Sequence, residues 1–483
     1  MISQTLHPPP IRAACAPLGR WSFGLTPRSI GLLIVGFFFL IPGFWDERLS
    51  YSMLAWDALV LLAASIDGLR LPAPEKLIAS REWSNTPALD SETELELTIE
   101  NQSALPLDCR LADELPLALR DDREPPRSVR LTSFPHVSVS VRGHVRPRER
   151  GDSAVGYLFV RYQSPLGLVE RWAKAPLNQT VRVYPAFIRG EEQQIYLARS
   201  RQIESQLRQA RQRGLGRDFE SLREYREGDD LRDICWTASA RRGSLITRQY
   251  QVERSQAVWI VLDCGRLMRS RVMNVSPSQA AQSTHPPVVD GLYPPDHAKL
   301  DYACSAAIAL AQLAQYSGDR VGLLAYGQRV QQRLLPGRGS AHLRQMIELL
   351  AQARAESGEA DHWRATALLG RLQPRRSLIL WITDLAETAM RPEVIEAAST
   401  LLHRHVLLFV AMAQPEIESI AEGRPRNIDE MFRAAAAQEM AARRELLLAN
   451  LKEQGALTLD LHPRLVTASV LNQYLAVKER AMV

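Results

Sequence analysis

The sequence predicts a multidomain chain: an N-terminal transmembrane helical hairpin (29–68), an immunoglobulin-like β-sandwich (82–185) and a doubly wound α/β domain (257–483). Three observations predict it. Two apolar runs, 30–44 and 49–66, flank a short charged stretch, Asp46-Glu47-Arg48. From residue 82 to 185 apolar and polar residues alternate with period two. From residue 257 continuous apolar runs alternate with helical patterns. A chain of 483 residues is long enough for about three domains.

Residues 1–28 are basic, with Arg12, Arg20 and Arg28 and no acid, and read as a cytoplasmic N-terminal segment. Each apolar run is at or below the ~20 residues of a spanning helix. A signal peptide is the rival for the first run, but no small-residue cleavage site follows it. Arginines before the hairpin, and Arg70, Lys76 and Arg81 after it, place both ends in the cytoplasm. Asp57 interrupts the second run and is expected near a helix end or facing the other helix.

In the next region 92–101, 136–145, 154–162 and 179–185 alternate between turn residues, with turns at Arg150-Gly151 and Pro165-Leu166-Gly167. Such sandwiches bind or space other molecules, and nothing here supplies chemistry. Residues 186–215 read as a helical or partly ordered polar linker. The C-terminal domain carries apolar strands at 258–265, 320–327, 376–387, 405–412 and 456–463, with helices between them; 269–297 is a Pro/Ser/Gln-rich surface insert. Apolar strands separated by helices imply a mostly parallel sheet covered on both faces.

Net charge of +5 with interspersed acids does not suggest nucleic acid. Five scattered cysteines form no metal set and fit a reducing compartment. There is no phosphate loop, nucleophile elbow or HExxH, and the ten histidines are dispersed.

The segment 216–254 stands apart. Eight of its 39 residues are acidic and eight are arginine, with no lysine. Phe219, Leu222, Tyr225, Leu231, Ile234 and Trp236 fall at roughly helical spacing, so one face could bury while the other carries ions. Gly228-Asp229-Asp230 reads as a turn and N-cap for a short helix through Trp236 and Ala240. Arginine holds carboxylates bidentately and stacks on aromatic faces. Two readings stay open: an ion network latching a connector onto the following domain, or a charged docking face for a protein. On the second, Arg223, Arg226, Asp229, Asp230, Arg232, Trp236, Arg241 and Arg242 form the face.

The string FESLREYREGDD, followed by an R-x-I-x-W step, an ARRG turn and a strand ending in Asp, resembles the signature of the bacterial domain-of-unknown-function-58 family. Weaker similarity extends from about residue 20 to the end. The resemblance implies a membrane-anchored protein with a β-sandwich and a degenerate von Willebrand factor A-like domain, and MoxR-type AAA+ ATPases as partners.

Open α/β sheets bind ligands beyond the carboxyl ends of their strands, where the strand order switches. Two strands here end in carboxylates, Asp263 and Asp384. An A-type domain would hold Mg²⁺ there through oxygens. The small hydroxyl residues expected two and four positions after Asp263 are replaced by Gly265 and Leu267, and no Thr is evident at the loop station; Asp361 is the nearest oxygen. Asp263, Asp384 and Asp361 therefore form a degenerate metal set. The competing reading has Asp263 and Asp384 capping turns or pairing with arginines of the signature segment. The expected function is a non-enzymatic, membrane-anchored scaffold or adaptor that binds a protein, such as a MoxR-type ATPase, in assembly or maturation of a complex. The alternative is a metal-dependent hydrolase acting at this sheet edge.

Overall fold

The computed structural model describes residues 8–20, 22–38, 41, 51–119, 128–186, 196, 198, 218–226, 234–251, 256–272, 297–385 and 393–480. Contacts divide the chain into two units, Met1–Tyr184 and Pro185–Val483, and each is described by itself.

The first unit contains, in chain order, β1 (Ile11–Ala14), β2 (Ala16–Pro17), β3 (Phe23–Leu25), α1 (Pro27–Phe38), α2 (Tyr51–Arg70), β4 (Leu77–Trp83), β5 (Thr93–Asn101), β6 (Leu107–Asp113), β7 (Val129–Ser133), β8 (Ser138–Val145), β9 (Gly151–Val155), β10 (Leu158–Gln163), β11 (Val169–Ala175) and β12 (Gln179–Val183). One sheet runs β1-β4-β5-β8, a second β2-β11-β10-β6-β7 with β3 also on β11, and β12 pairs with β9. Alternate positions of both larger sheets share one core, from Leu77, Ala79 and Ile99 on one side to Cys109, Leu111 and Tyr162 on the other. This is the period-two alternation made physical.

Three details depart from expectation. The N-terminal segment, for which no strand was expected, supplies β1, β2 and β3 to the sheets. The run 154–162 is broken at Gly156-Tyr157, whose N–H groups bond Glu114, so that β9 and β10 enter different sheets. Arg81, counted above as a flanking charge, is fully buried. It pairs with Asp113 of β6 and donates to Leu177 O at 2.7 Å, tying the two sheets together.

The helices pack on each other. Trp56 Nε1 donates to Leu32 O at 2.9 Å, and Gly36 faces Trp56 and Asp57 where a Cβ would collide. Asp57 thus faces the other helix. Among the described residues one helix, Tyr51–Arg70, is long and apolar enough to cross a membrane; Pro27–Phe38 is shorter.

Both helices are rooted on one turn, Ser164 to Leu168. The buried Asp67 carboxylate, near the end of α2, accepts from Ser164 Oγ (2.6 Å), Leu168 N (3.1 Å) and Val169 N (3.2 Å). At the start of α1, Thr26 donates to Gly167 O and Ser29 to Leu168 O, each at 2.5 Å. Gly167 takes a left-handed φ of 65°, which the Pro-Leu-Gly turn requires.

The second unit opens with β13 (Asp218–Glu224), α3 (Trp236–Arg242) and β14 (Ile246–Gln251). There follow β15 (Ala257–Asp263), α4 (Lys299–Tyr316), β16 (Arg320–Tyr326), β17 (Val330–Gly337), α5 (Ser340–Gln352), α6 (His362–Leu372), β18 (Leu378–Thr383), α7 (Glu393–Leu402), β19 (Val406–Met412), α8 (Pro415–Glu422), α9 (Ile428–Glu453), β20 (Leu457–Leu461) and α10 (Val466–Glu479). The sheet order is β17-β16-β15-β18-β19-β20, parallel except for β17. Every residue of β15, β18 and β19 is buried, as a central strand covered on both faces demands. Helices α6, α7 and α9 close one face around Trp259, Trp381 and Phe409.

Removing Asp67 leaves one hydroxyl and two amide donors without their acceptor. Asp67→Ala should lower the stability of the first unit by about 2–4 kcal/mol and open the 164–168 turn to protease. Thermal unfolding and limited proteolysis of the full chain in detergent measure this; an unchanged cleavage rate at that turn would mean the root is not what holds the helices.

Candidate functional site

Strand order reverses between β15 and β18, which sets a crevice beyond their carboxyl ends. β15 ends at Asp263 and β18 at Thr383, with Asp384 next, and both carboxylates are buried. The two are close enough for the charge on Asp384 to act on Asp263.

Among the described residues Asp263 is held by hydrogen bonds alone. Gly265 N donates to Oδ1 at 2.7 Å and Thr383 Oγ1 to Oδ2 at 2.6 Å. Burial raises its pKa from 3.8 to about 6, the hydrogen bonds from Thr383 and Gly265 opposing and Asp384 adding. Beside it in register stands Tyr326. Trp381 Nε1 donates to the Tyr326 oxygen at 2.9 Å, and the hydroxyl meets His362 Nδ1 at 2.9 Å. Burial lowers His362 from 6.5 to about 4, against the pull of Glu393, Asp361 and Glu359. The imidazole is therefore neutral near pH 7, and it shares a hydrogen bond with the tyrosine hydroxyl.

Asp384 is held by cations. Lys299 Nζ, itself buried, lies 2.7 Å from Oδ2, which also accepts from Gln414 Nε2 at 3.0 Å. Arg444 Nη1 reaches Oδ1 at 3.3 Å and Leu385 O at 3.0 Å, while its Nε and Nη2 grip Asp460. A buried ion pair offsets its desolvation when its remaining hydrogen bonds are met, as here. Beside Arg444 a cavity of about 240 Å³ opens between Leu385, Gln414, Ile417, Met440, Leu447 and Asp460.

The expected metal set is not assembled. Asp361 caps α6, accepting from Arg364 N at 2.8 Å, instead of joining the other two. Among the described residues no group of three or more His, Cys, Asp or Glu side chains is placed to hold a metal ion. Both Asp384 oxygens already face charges supplied by the chain. Of the competing reading, one half describes Asp263, which caps the turn at Gly265. On the other half, Asp384 pairs with Lys299 and Arg444, and Arg217, Arg232 and Arg254 of the signature segment lie outside the described residues. Thr383 was missed because it precedes Asp384 on the strand rather than sitting in a loop. Lys299 had a signal: lysine occurs three times from residue 257 onward, at 299, 452 and 478.

The signature segment is also partly corrected. Helical spacing from Phe219 gives way to strand β13, paired antiparallel with β14 through a register shift between Phe219 and Ser221. β14 is rich in β-branched and aromatic residues, and cross-strand pairing overrides the local period. The short helix is present as Trp236–Arg242, ended by Gly243 in a left-handed conformation (φ 70°). Asp229, Asp230 and Arg232 lie outside the described residues. Cys235 N and Tyr225 N bond Ile246 O and Leu245 O, which brings Arg226, Trp236 and Leu245 into one small module. There Trp236 is 67% exposed, with Leu222, Leu245, Arg226, Arg241 and Arg242 also exposed and Arg223 partly so.

The fold and its edge thus define a multidomain chain with a β-rich N-terminal region and a C-terminal doubly wound α/β domain. Residues 221–429 match the family model described as "Protein of unknown function DUF58", which supports that family. No curated protein matches the chain. Among solved structures, the ASH/PapD-like domain 7 of human CEP192 is 16% identical, covering 20% of this chain and 76% of that one, with a TM-score of 0.15. The conserved hypothetical protein BatB from Bacteroides thetaiotaomicron is 16% identical, covering 46% and 99%, with a TM-score of 0.27. Proximal thread matrix protein 1 from the mussel byssus is 12% identical, covering 46% and 47%, with a TM-score of 0.26. Likenesses this slight carry no argument.

Two outcomes test the edge. Asp263 has its folded pKa raised, so its stabilising contribution is full below pH ~4 and lost as pH rises through about 6. Relative to the parent chain, Asp263→Asn should therefore gain about 3 kcal/mol between pH 4 and 7 in chemical denaturation; parallel curves would show that the carboxylate is not desolvated. Lys299→Met should cost about 3–5 kcal/mol by stranding Asp384, and Lys299→Met with Asp384→Asn should recover most of it. A double variant as unstable as the single would mean that the lysine acts through packing rather than charge.

Proposed function

We propose that this chain is a non-enzymatic adaptor, anchored in a membrane by its helical hairpin, whose β13–α3–β14 module docks a protein partner. One observation carries the reading: Trp236 stands two-thirds exposed on a seven-residue helix, in a module that also exposes Arg226, Arg241 and Arg242. Tryptophan and arginine are the side chains that most often dominate binding energy at protein interfaces, and a folded domain gains nothing by leaving that indole in water. A surface of this composition fits a partner with acidic side chains around an apolar pocket. The resemblance supports a MoxR-type AAA+ ATPase as that partner, in assembly or maturation of a complex.

The sheet order and the carboxylates at its switch point support reading the α/β domain as von Willebrand factor A-like, and the two sheets sharing a core support an immunoglobulin-like sandwich. Lys299 and Arg444 stand where a metal would have to compete for Asp384, which favours an adaptor over a metal-dependent hydrolase. The apolar length of α2 supports anchoring. Both helix roots sit on one turn, which supports a topology with the segments before α1 and after α2 on the same side. Arg12, Arg20, Arg28, Arg70 and Lys76 favour the cytoplasmic side; Arg81 drops out of that count, its charge being spent inside the sandwich.

Trp236→Ala, and separately Arg241→Glu with Arg242→Glu, should each weaken binding of a purified MoxR-type ATPase at least about ten-fold in a titration. Neither should shift the unfolding midpoint appreciably, since exposed substitutions usually stay within ~0.5 kcal/mol. Unchanged affinity in both variants would remove the module from the interface.

A further inference from the structure

We infer that the helix-proximal end of the β-unit is itself a lipid-binding surface, seated in the headgroup region of the bilayer that α2 enters. The inference rests on the membrane reading of the hairpin and goes beyond it, since a hairpin alone could carry its domain clear of the surface on a linker. Depth is the first argument. The 20 residues of α2, Tyr51–Arg70, are about 30 Å long, the thickness of a hydrocarbon core, so the last turn of the helix lies at the core boundary. Asp67 lies three residues from its end, and the amides of Leu168 and Val169 bond that carboxylate directly. The turn Ser164–Leu168 is therefore held at the boundary of the hydrocarbon, not above it.

What that end presents is the second argument. Register places the turn 134–137 at the same end, because Ser133 faces Leu107 and Asp108 faces Gln163. Adjacent strands are about 4.8 Å apart, so β7 stands roughly 10 Å from β10. Exposed here are Leu166 (59%) at the tip of one turn, Phe134 (57%) and Val137 flanking the other, Phe23 and Leu25 on β3, and Leu69 (87%) on the last turn of α2. Arg28, packed against Gly167, and Arg70 are exposed among them, as are Lys76 and Glu75. Apolar tips with basic residues at the same level fit acyl chains below and phosphates beside them. This also accounts for an acid at the boundary: the Asp67 carboxylate is buried under amides that the β-unit itself supplies.

Site-specific labelling of the full chain tests this. Leu166→Cys, Phe134→Cys, Leu62→Cys on the exposed face of α2, and Leu117→Cys would each carry an environment-sensitive fluorophore, the five native cysteines being buried. Leu117 lies beyond Asp113, at the opposite end of the sandwich. The proteins would be reconstituted in phosphatidylcholine–phosphatidylglycerol vesicles with and without brominated acyl chains. Labels at Leu62, Leu166 and Phe134 should be quenched about two-fold or more and the label at Leu117 left unchanged. Quenching at Leu62 with none at Leu166 and Phe134 overturns the lipid surface while leaving the hairpin in the membrane. No quenching at Leu62 removes the membrane reading, and this inference with it.

Discussion

At the point where the strand order reverses, two strand ends deliver carboxylates into a buried crevice, and like charges that close must be offset. The ammonium of Lys299 and the guanidinium of Arg444 offset one of them. Among the described residues Asp263 has no cation within reach and is left to two hydrogen bonds and a raised pKa. The geometry of the whole edge follows from that asymmetry. Lys299 is the first residue of α4 and so fixes where that helix starts against β18. Arg444 joins α9 to the loop after β18 and to β20 through Asp460. Three elements far apart in sequence are thereby registered on one side chain.

Much of the fold was legible because burial writes a period into the chain. The fully apolar runs at 258–262, 378–382 and 406–412 could only be central strands, and the alternation at 93–101 could only be a half-buried one. Short strands were lost where the period had too few residues to register. β2 and β3 have two and three residues, and β17 has the polar sequence VQQRLLPG, because as an edge strand it is asked to bury little. Phe219 to Tyr225 misled for the opposite reason: a helical spacing was present, but pairing with Ile246–Gln251 decided the backbone.

The carboxyl edge was half legible. Asp263 and Asp384 announced themselves as charges ending apolar runs, since nothing else explains an acid there. Their partners did not, because Lys299, Gln414 and Arg444 come from distant elements whose local sequence says nothing about what they face. Side-chain partnership across 60 or 85 residues, as for Arg444 and Lys299 with Asp384, is a property of topology, and topology is not written in a window.

β17 has a further consequence. An open parallel sheet presents unpaired amides and carbonyls along each border, and a stray strand from a neighbouring molecule can add itself there. By turning back antiparallel on β16, β17 ends that border in Gln331, Gln332, Arg333 and Pro336, and proline has no amide to offer. Copies of this chain at high local density should resist fibrous growth through that flank, which leaves β20 as the other border of this sheet.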